Sequence, residues 1–199
     1  MGEGVVRLKK YIQRTVIIVL VIGIIGWMSG CARWPTPEPP PGETEYQLRI
    51  TVEVKGEINV TEGIYYIVFD ADSDSTDGPG DDLNLWDDDY YYIMLDEWGF
   101  SFAQVKDDFE STFYGGSITG NNKFQITIAI SDLGDPTRID INVLTSDSDN
   151  YTYDSLSDGY FFISTSYGSS KTISDSEGDS GDGGEDFDIN KVTAVITTL

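Results

Sequence analysis

Hydrophobic and polar residues alternate along much of the chain beyond residue 44, with the two-residue period typical of β-strands. The clearest segment is 46–55, YQLRITVEVK, in which every second residue is hydrophobic. Segments 124–130 and 138–145 show the same alternation. Because successive side chains of a strand point to opposite faces of its sheet, these segments predict strands with one buried face.

Two further segments, 64–69 (IYYIVF) and 90–95 (YYYIML), are hydrophobic throughout and suit central strands. Weaker or shorter candidates complete a set of about nine strands: 100–105, 109–114, 160–165 and 191–197. Turns rich in Gly, Asp and Ser separate these segments, and no amphipathic helix stands out. The pattern predicts an all-β fold, either a jelly-roll-like antiparallel β-sandwich or a closed barrel, with the first and last strands as candidates for pairing.

The N-terminal residues have a different pattern, in which basic residues within positions 5–14 precede an apolar run at 16–27. A run of about twelve is shorter than the roughly 18 to 20 residues that a spanning helix needs, so it predicts the apolar region of a signal peptide. Two small residues then precede Cys31. This segment resembles the lipobox of prokaryotic lipoproteins, although Met28 stands where that family usually has Leu.

The lipobox resemblance implies that a diacylglycerol is attached to the Cys31 thiol and that cleavage removes residues 1–30. The alternative is an uncleaved N-terminal membrane anchor in which Cys31 is an incidental thiol. Residues 32–43 contain five prolines and predict an extended tether. We therefore expect a signal peptide at 1–30, a lipidated Cys and Pro-rich tether at 31–44, and an acidic β-sandwich at 45–199, held outside the cytoplasm at the cell membrane or the outer membrane.

Composition narrows the chemistry that this domain can carry. The chain has 35 acidic residues, 12 basic residues and no His, and without residues 1–30 it holds 34 acids against 8 bases, a net charge of −26. Such an acidic surface repels nucleic acid, so nucleic acid is excluded as a partner. The absence of His disfavours catalytic triads and zinc hydrolysis. Carboxylate-based glycoside hydrolysis stays open, but no pair of acids stands out, so we expect a protein that is not an enzyme.

The acidic segment 70–82, DADSDSTDGPGDD, directly follows a predicted strand. Clustered carboxylates repel one another unless a hard cation lies between them, and Ca²⁺ accepts six to eight such oxygens. The spacing does not fit an EF-hand, since Ser75 stands where Gly is required. We expect a Ca²⁺-stabilised loop, and the alternative is a solvated acidic loop. The candidate ligands are Asp70, Asp72, Asp74, Asp77, Asp81 and Asp82, with residues 87–89 close by.

Aromatic residues follow the acidic segment closely, and Trp86, Tyr90 and Trp98 are the candidate ligand-binding residues. Sugar rings present apolar faces that stack on Trp and Tyr, while acids and amides bind the hydroxyls, so this mixture suits a saccharide site. The simpler alternative is that alternate tyrosines fill the core of the sandwich.

Segments 63–92 and 123–145 together resemble the sandwich domains of the family-9 carbohydrate-binding and DOMON-like type. The resemblance implies a jelly-roll-like sandwich that binds sugar or another small ligand, with structural calcium. The leading hypothesis is a membrane-anchored lipoprotein whose non-catalytic β-sandwich binds an extracellular ligand, with a glycan as the candidate, and is stabilised by Ca²⁺. The alternative is a structural or adhesive protein of the cell envelope that binds other envelope proteins and no small-molecule ligand.

Overall fold

The alternating segments of the chain form two antiparallel sheets that pack face to face. A computed structural model describes residues 45–107, 111–157, 159–175 and 183–199, which belong to one compact unit. The strands are β1 (Tyr46–Val54), β2 (Ile64–Asp70), β3 (Tyr91–Asp96), β4 (Gly99–Gln104), β5 (Thr112–Phe113), β6 (Gly116–Thr119), β7 (Lys123–Ala129), β8 (Arg138–Ser146), β9 (Thr152–Ser155), β10 (Phe161–Ser164), β11 (Ser170–Ser174) and β12 (Ile189–Thr198).

The first sheet has the strand order β11-β12-β1-β7-β6. Strand β1 lies in its centre and pairs with β12 from Tyr46 opposite Thr198 to Val54 opposite Ile189. The predicted pairing of the first and last strands is therefore confirmed. Strand β1 also pairs with β7 along almost its whole length, so its backbone hydrogen bonds are made on both sides.

The second sheet has the order β10-β8-β2-β3-β4-β5, and β9 pairs with the C-terminal half of β8. Strand β2 lies between β8 and β3, as its continuous hydrophobic run predicts. The sheet brings the ends of β2 and β8 side by side, with Asp70 directly opposite Asp140. This juxtaposition places the acidic segment that follows β2 at one end of the sheet.

The main core lies between the two sheets and is built from the alternate hydrophobic residues of each strand. Leu48, Ile50 and Val52 of β1 are fully buried against Ile139, Ile141 and Val143 of β8 and their neighbours. The ring of Tyr65 meets that of Phe124 edge to face at 5.7 Å across the interior. Truncation of one such buried aliphatic side chain to Ala costs roughly 2–5 kcal/mol of folding free energy. The all-β sandwich is thus the fold of this chain.

Part of the outer face of the second sheet, around β2 and β8, is also buried. Tyr66 and Val68 of β2 and Leu144 of β8 form a second cluster there with Tyr90, and Trp86 packs against it. The segment between β2 and β3 covers this face. Because β2 is buried on both faces, it has no polar residue before Asp70.

Three of the twelve strands were not expected from the sequence: β6, β9 and β11. Each has four or five residues and lies at the surface, so none carries a clear hydrophobic alternation. Of the strand expected at 109–114, the described residues form β5 at Thr112–Phe113, and residues 108–110 lie outside the described part.

In the part of the chain that the structure describes, the only helical elements are short 3₁₀ turns, and none is long and apolar enough to cross a membrane. The apolar run at 16–27, the lipobox with Cys31 and the tether all fall in residues 1–44, outside the described residues.

Candidate functional site

The segment between β2 and β3 is fixed to the rest of the domain at several points. Its backbone carbonyls and one hydroxyl accept hydrogen bonds from other elements of the fold and from its own tryptophan. The donors are the Thr137 amide to Ser73 Oγ (3.1 Å), Asn142 Nδ2 to Pro79 O (3.0 Å), Trp86 Nε1 to Gly80 O (3.1 Å) and Thr152 Oγ1 to Asp81 O (2.8 Å). These contacts set the path of the loop and hence the positions of its carboxylates.

Gly78 lies within this loop, where the chain passes directly over the ring of Tyr160. A Cβ at residue 78 would lie 2.7 Å from that ring, so a larger residue cannot take this path without displacing it. The neighbouring Gly80 has open space at the corresponding position. The close approach at Gly78 helps to hold the loop against the sheet.

Three of the predicted metal ligands come together at the start of this loop. Oxygens of Asp70, Asp72 and Asp77 all lie within 4.8 Å of one another. Asp70 is the last residue of β2 and is 3% exposed. Asp72 and Asp77 follow the strand and are exposed. The three carboxylates line a cleft of about 470 Å³, whose other lining residues are Trp86, Asp87, Asp88, Asp89 and Tyr90.

The cleft is strongly electronegative. Burial raises the pKa of Asp70 to about 6, and the charges of Asp72, Asp140 and Asp77 add to the increase, while a hydrogen bond from the Asp72 amide opposes it. None of the described residues that line the cleft is basic. A buried carboxylate surrounded by other carboxylates is costly to ionise, and a bound cation would remove most of that cost.

The neighbouring acid Asp140 has its own counterion. Arg138 donates two hydrogen bonds to its carboxylate, from Nε at 2.8 Å and from Nη2 at 2.7 Å, and its guanidinium also lies 4.2 Å from the ring centre of Phe162. This bidentate pairing compensates the charge of Asp140, which is buried. Asp70, directly opposite in the sheet, makes no such pair with Arg138.

The other three predicted ligands make different contacts. The carboxylate of Asp74 accepts hydrogen bonds from the amides of Ser75 (2.5 Å) and Thr76 (3.0 Å), and these bonds lower its pKa. The carboxylate of Asp82 accepts from the amide of Asn84 at 2.9 Å and caps a short 3₁₀ turn. Asp81 contributes its carbonyl to the Thr152 contact. The structure therefore does not bring these side chains into the cluster of Asp70.

Trp86 and Tyr90, two of the three predicted ligand-binding residues, line the cleft together. Tyr90 is 6% exposed, and burial together with the charges of Asp70 and Asp87 raises its pKa. Trp86 is half-buried and packs its ring against Tyr66 at 5.6 Å and Tyr92 at 5.9 Å. Strand alternation thus divides the aromatic run, since Tyr91 turns to the main core while Tyr90 and Tyr92 face outward.

Trp86 also borders a second cavity on the same face of the sheet, which we call the aromatic groove. It measures about 350 Å³ and is lined by aromatic and aliphatic side chains together with Asn84, Ser111 and Asn150. Its aromatic lining residues are Tyr66, Trp86 and Tyr92. The sequence did not identify Tyr66 or Asn150 as site residues. No local signal indicates that the outer face of β2 and the loop after β8 line the same cavity as Trp86.

Trp98, the third predicted ligand-binding residue, lies elsewhere. It is 77% exposed in the turn between β3 and β4 and borders a separate pocket with residues 60–64. Strand β3 separates it from Tyr90, and six residues of strand span about 20 Å. Trp86 and Trp98 therefore do not belong to one site.

Comparisons with protein-family models, with curated proteins and with solved structures each find no match for this chain.

Proposed function

We propose that this chain is a lipid-anchored extracytoplasmic protein whose β-sandwich is a non-catalytic carbohydrate-binding domain stabilised by Ca²⁺. The observation that carries the proposal is the convergence of Asp70, Asp72 and Asp77 beside Trp86 in one cleft. The cation would compensate the buried carboxylate, and Trp86 would contribute the stacking surface for a sugar. The lipid anchor rests on Cys31 and the apolar run before it.

The donor set favours calcium over other metals. The cluster offers only carboxylate oxygens, and the chain has no His, so zinc and copper lack their preferred ligands. Two oxygens on opposite sides of a Ca²⁺ ion lie up to about 5 Å apart, given bond lengths of about 2.3–2.6 Å. Oxygens within 4.8 Å of one another are therefore close to the spacing that ligands of one ion require. Asp87, Asp88 and Asp89 line the same cleft and could complete the coordination.

The same cleft has one property of a hydrolytic site, since Asp70 is a buried acid with a raised pKa beside other acids and a tryptophan. Glycoside hydrolysis places its two carboxyl groups about 5 to 9.5 Å apart, on either side of the scissile bond. The oxygens of Asp70, Asp72 and Asp77 are closer than that. Among the residues that the structure describes, no Asp or Glu lines the aromatic groove, where a sugar would stack. These two facts favour a binding protein over an enzyme.

Thermal unfolding of a fragment of residues 43–199 tests the calcium site. Extracellular calcium sites have Kd values of about 0.1–1 mM. Calcium at about 100 times Kd should add about 2.7 kcal/mol to the unfolding free energy, which raises the Tm by roughly 5–11 °C for a domain of this size. Asp72→Asn and Asp77→Asn should abolish most of the increase. Glu97→Gln removes one exposed charge at the other end of β3 and should leave it unchanged.

Magnesium at the same concentration controls for simple screening of the acidic surface. An equal rise in Tm with both ions, or an equal response in Asp72→Asn and Glu97→Gln, would show that calcium acts through the general charge of the domain. In that case the acidic loop would be solvated surface, and the calcium part of the proposal would fail.

The anchor is tested in cells by metabolic labelling with a radioactive fatty acid. The wild-type chain should carry the label and fractionate with membranes, and Cys31→Ser should lose the label. If Cys31→Ser and the wild type are both unlabelled and both remain in the membrane fraction, the N-terminal segment is an uncleaved anchor and the lipid is not attached.

A further inference from the structure

We infer that the aromatic groove is the ligand site of this domain, and that its ligand is an uncharged pyranose ring. This inference deepens the proposed function by naming the site and the ligand class. It depends on the groove and not on a bound cation, so it can fail or succeed independently of the calcium site.

The shape of the groove suits a small ring. Its volume of about 350 Å³ lies at the lower end of the range for small-molecule sites, about 300–1,000 Å³. Tyr92 and Met94 are consecutive outward-facing residues of β3 and form part of the floor, and the half-buried ring of Trp86 lines the groove beside them. Two aromatic rings and a thioether give an apolar surface of the kind on which the CH faces of a sugar stack.

The polar lining residues are of the kind that recognise hydroxyl groups. Asn84, Ser111 and Asn150 are exposed and line the same groove. Amides and hydroxyls can each donate and accept, so they match the mixed donors and acceptors of a sugar ring. Asn150 has a positive φ of 66°, a backbone conformation that Asn adopts more readily than most residues, which holds it in the tight turn after β8.

The charge of the lining determines the class of ligand. The chain has 35 acids and 12 bases, yet none of the described residues that line the groove is Asp, Glu, Lys or Arg. Burial raises the pKa of Tyr66 to about 12, so its phenol is neutral at physiological pH. An anionic sugar would be repelled by the acidic surface around the groove. The groove therefore favours a neutral ring over an anionic sugar.

The test uses defined oligosaccharides with the full chain, in a detergent that contains no sugar, and with the 43–199 fragment. The neutral probes are the hexasaccharides of β-1,4-glucose, β-1,3-glucose, β-1,4-mannose, β-1,4-xylose and β-1,4-N-acetylglucosamine. The anionic probes are hexagalacturonate and a heparin hexasaccharide. We expect titration calorimetry or saturation-transfer NMR to detect at least one neutral probe with a Kd of about 1 mM or tighter, and neither anionic probe.

Variants then locate the site. Trp86→Ala should weaken binding of the retained probe at least tenfold, and Trp98→Ala, a change of the same size at the exposed turn, should leave it unchanged. Since Trp86 packs against Tyr66 and its removal can disturb the fold, Asn84→Ala serves as a second test at an exposed position. It should weaken binding severalfold with an unchanged circular dichroism spectrum.

Three results would overturn the inference. They are failure of every neutral probe to bind, tighter binding of an anionic probe, and loss of binding in Trp98→Ala but not in Trp86→Ala or Asn84→Ala. A domain that shows the calcium-dependent Tm but binds no probe would keep its cation site and would function as a structural or adhesive component of the envelope.

Discussion

Replacement of Asp70 by Asn should stabilise the domain at neutral pH when calcium is absent, and should remove its response to calcium. Asp70 is the buried member of the acidic cluster, and the described lining of the cleft that it faces contains no base. Asn has nearly the same shape, and its Oδ1 can still accept the hydrogen bond that the Asp72 amide donates at 3.1 Å. The substitution therefore removes the charge and little else.

The magnitude follows from the pKa of Asp70, which burial raises from 3.8 to about 6. Each pKa unit corresponds to about 1.4 kcal/mol, so a shift of about two units would cost at most about 3 kcal/mol of folding free energy. The cleft is open to water, which screens the carboxylate, and we expect roughly 1–2 kcal/mol. For a domain of this size the Tm of Asp70→Asn should then be roughly 2–8 °C higher in a chelator at pH 7.5.

The raised pKa of Asp70 determines how the unfolding free energy changes with pH. Between about pH 4 and pH 6 the folded state binds a proton at Asp70 more tightly than the unfolded state does, so the unfolding free energy falls as the pH rises through this interval. The advantage of Asp70→Asn should thus be small near pH 4 and complete above pH 6. Asp154, whose pKa burial also raises to about 6, contributes a similar slope to both proteins, so only their difference reports Asp70.

The assay is urea unfolding of the wild type, Asp70→Asn and Asp72→Asn from pH 4 to pH 8, in a chelator and again in calcium. Asp72 is exposed, so Asp72→Asn should lose the calcium response without a comparable gain of stability in the chelator. Equal stabilisation by both variants would mean that general repulsion among the carboxylates, and not the burial of Asp70, determines the free-energy cost. A less stable Asp70→Asn at pH 7.5 without calcium would refute the reasoning.

Two further predictions concern the loop between β2 and β3. Gly78→Ala should reduce the calcium-dependent rise in Tm, because its Cβ would lie 2.7 Å from the Tyr160 ring, whereas Gly80→Ala has open space and should behave as the wild type; equal behaviour of the two variants would contradict the tight approach. In the 43–199 fragment with Trp98→Phe, Trp86 is the single tryptophan, and calcium should lower the quenching of its fluorescence by acrylamide, because its Nε1 donates to Gly80 O within the loop between β2 and β3. Unchanged quenching alongside a normal rise in Tm would show that the cation does not order Trp86.

The strands that form the core could be predicted from the sequence because the hydrophobic pattern of each strand indicates which of its side chains are buried. Strand β1 alternates without interruption, and its hydrophobic side chains from Leu48 to Val54 are fully buried. Strand β2 is hydrophobic throughout and occupies the centre of its sheet. Strands β6, β9 and β11 could not be predicted, since short surface strands are defined by their neighbours' backbone hydrogen bonds and not by side-chain periodicity.

The sequence also determined that an acidic loop and a tryptophan follow β2 closely, and that only oxygen ligands are available there. Which carboxylates converge was decided by the tertiary structure. By local spacing, Asp74 is as good a candidate metal ligand as Asp72. In the structure, however, the carboxylate of Asp74 accepts hydrogen bonds from the amides of Ser75 and Thr76. The path of the loop depends on contacts with residues more than sixty positions away, such as Asn142 and Thr137.

Burial of the outer face of the second sheet was likewise a tertiary outcome. The sequence predicted Trp86, Tyr90 and Trp98 as one group because they are close along the chain. Strand β3 extends about 20 Å between Tyr90 and Trp98, and the loop folds Trp86 back onto the sheet beside Tyr92. Periodicity specifies the face of a strand on which a side chain lies, and long-range contacts alone decide which loop covers that face.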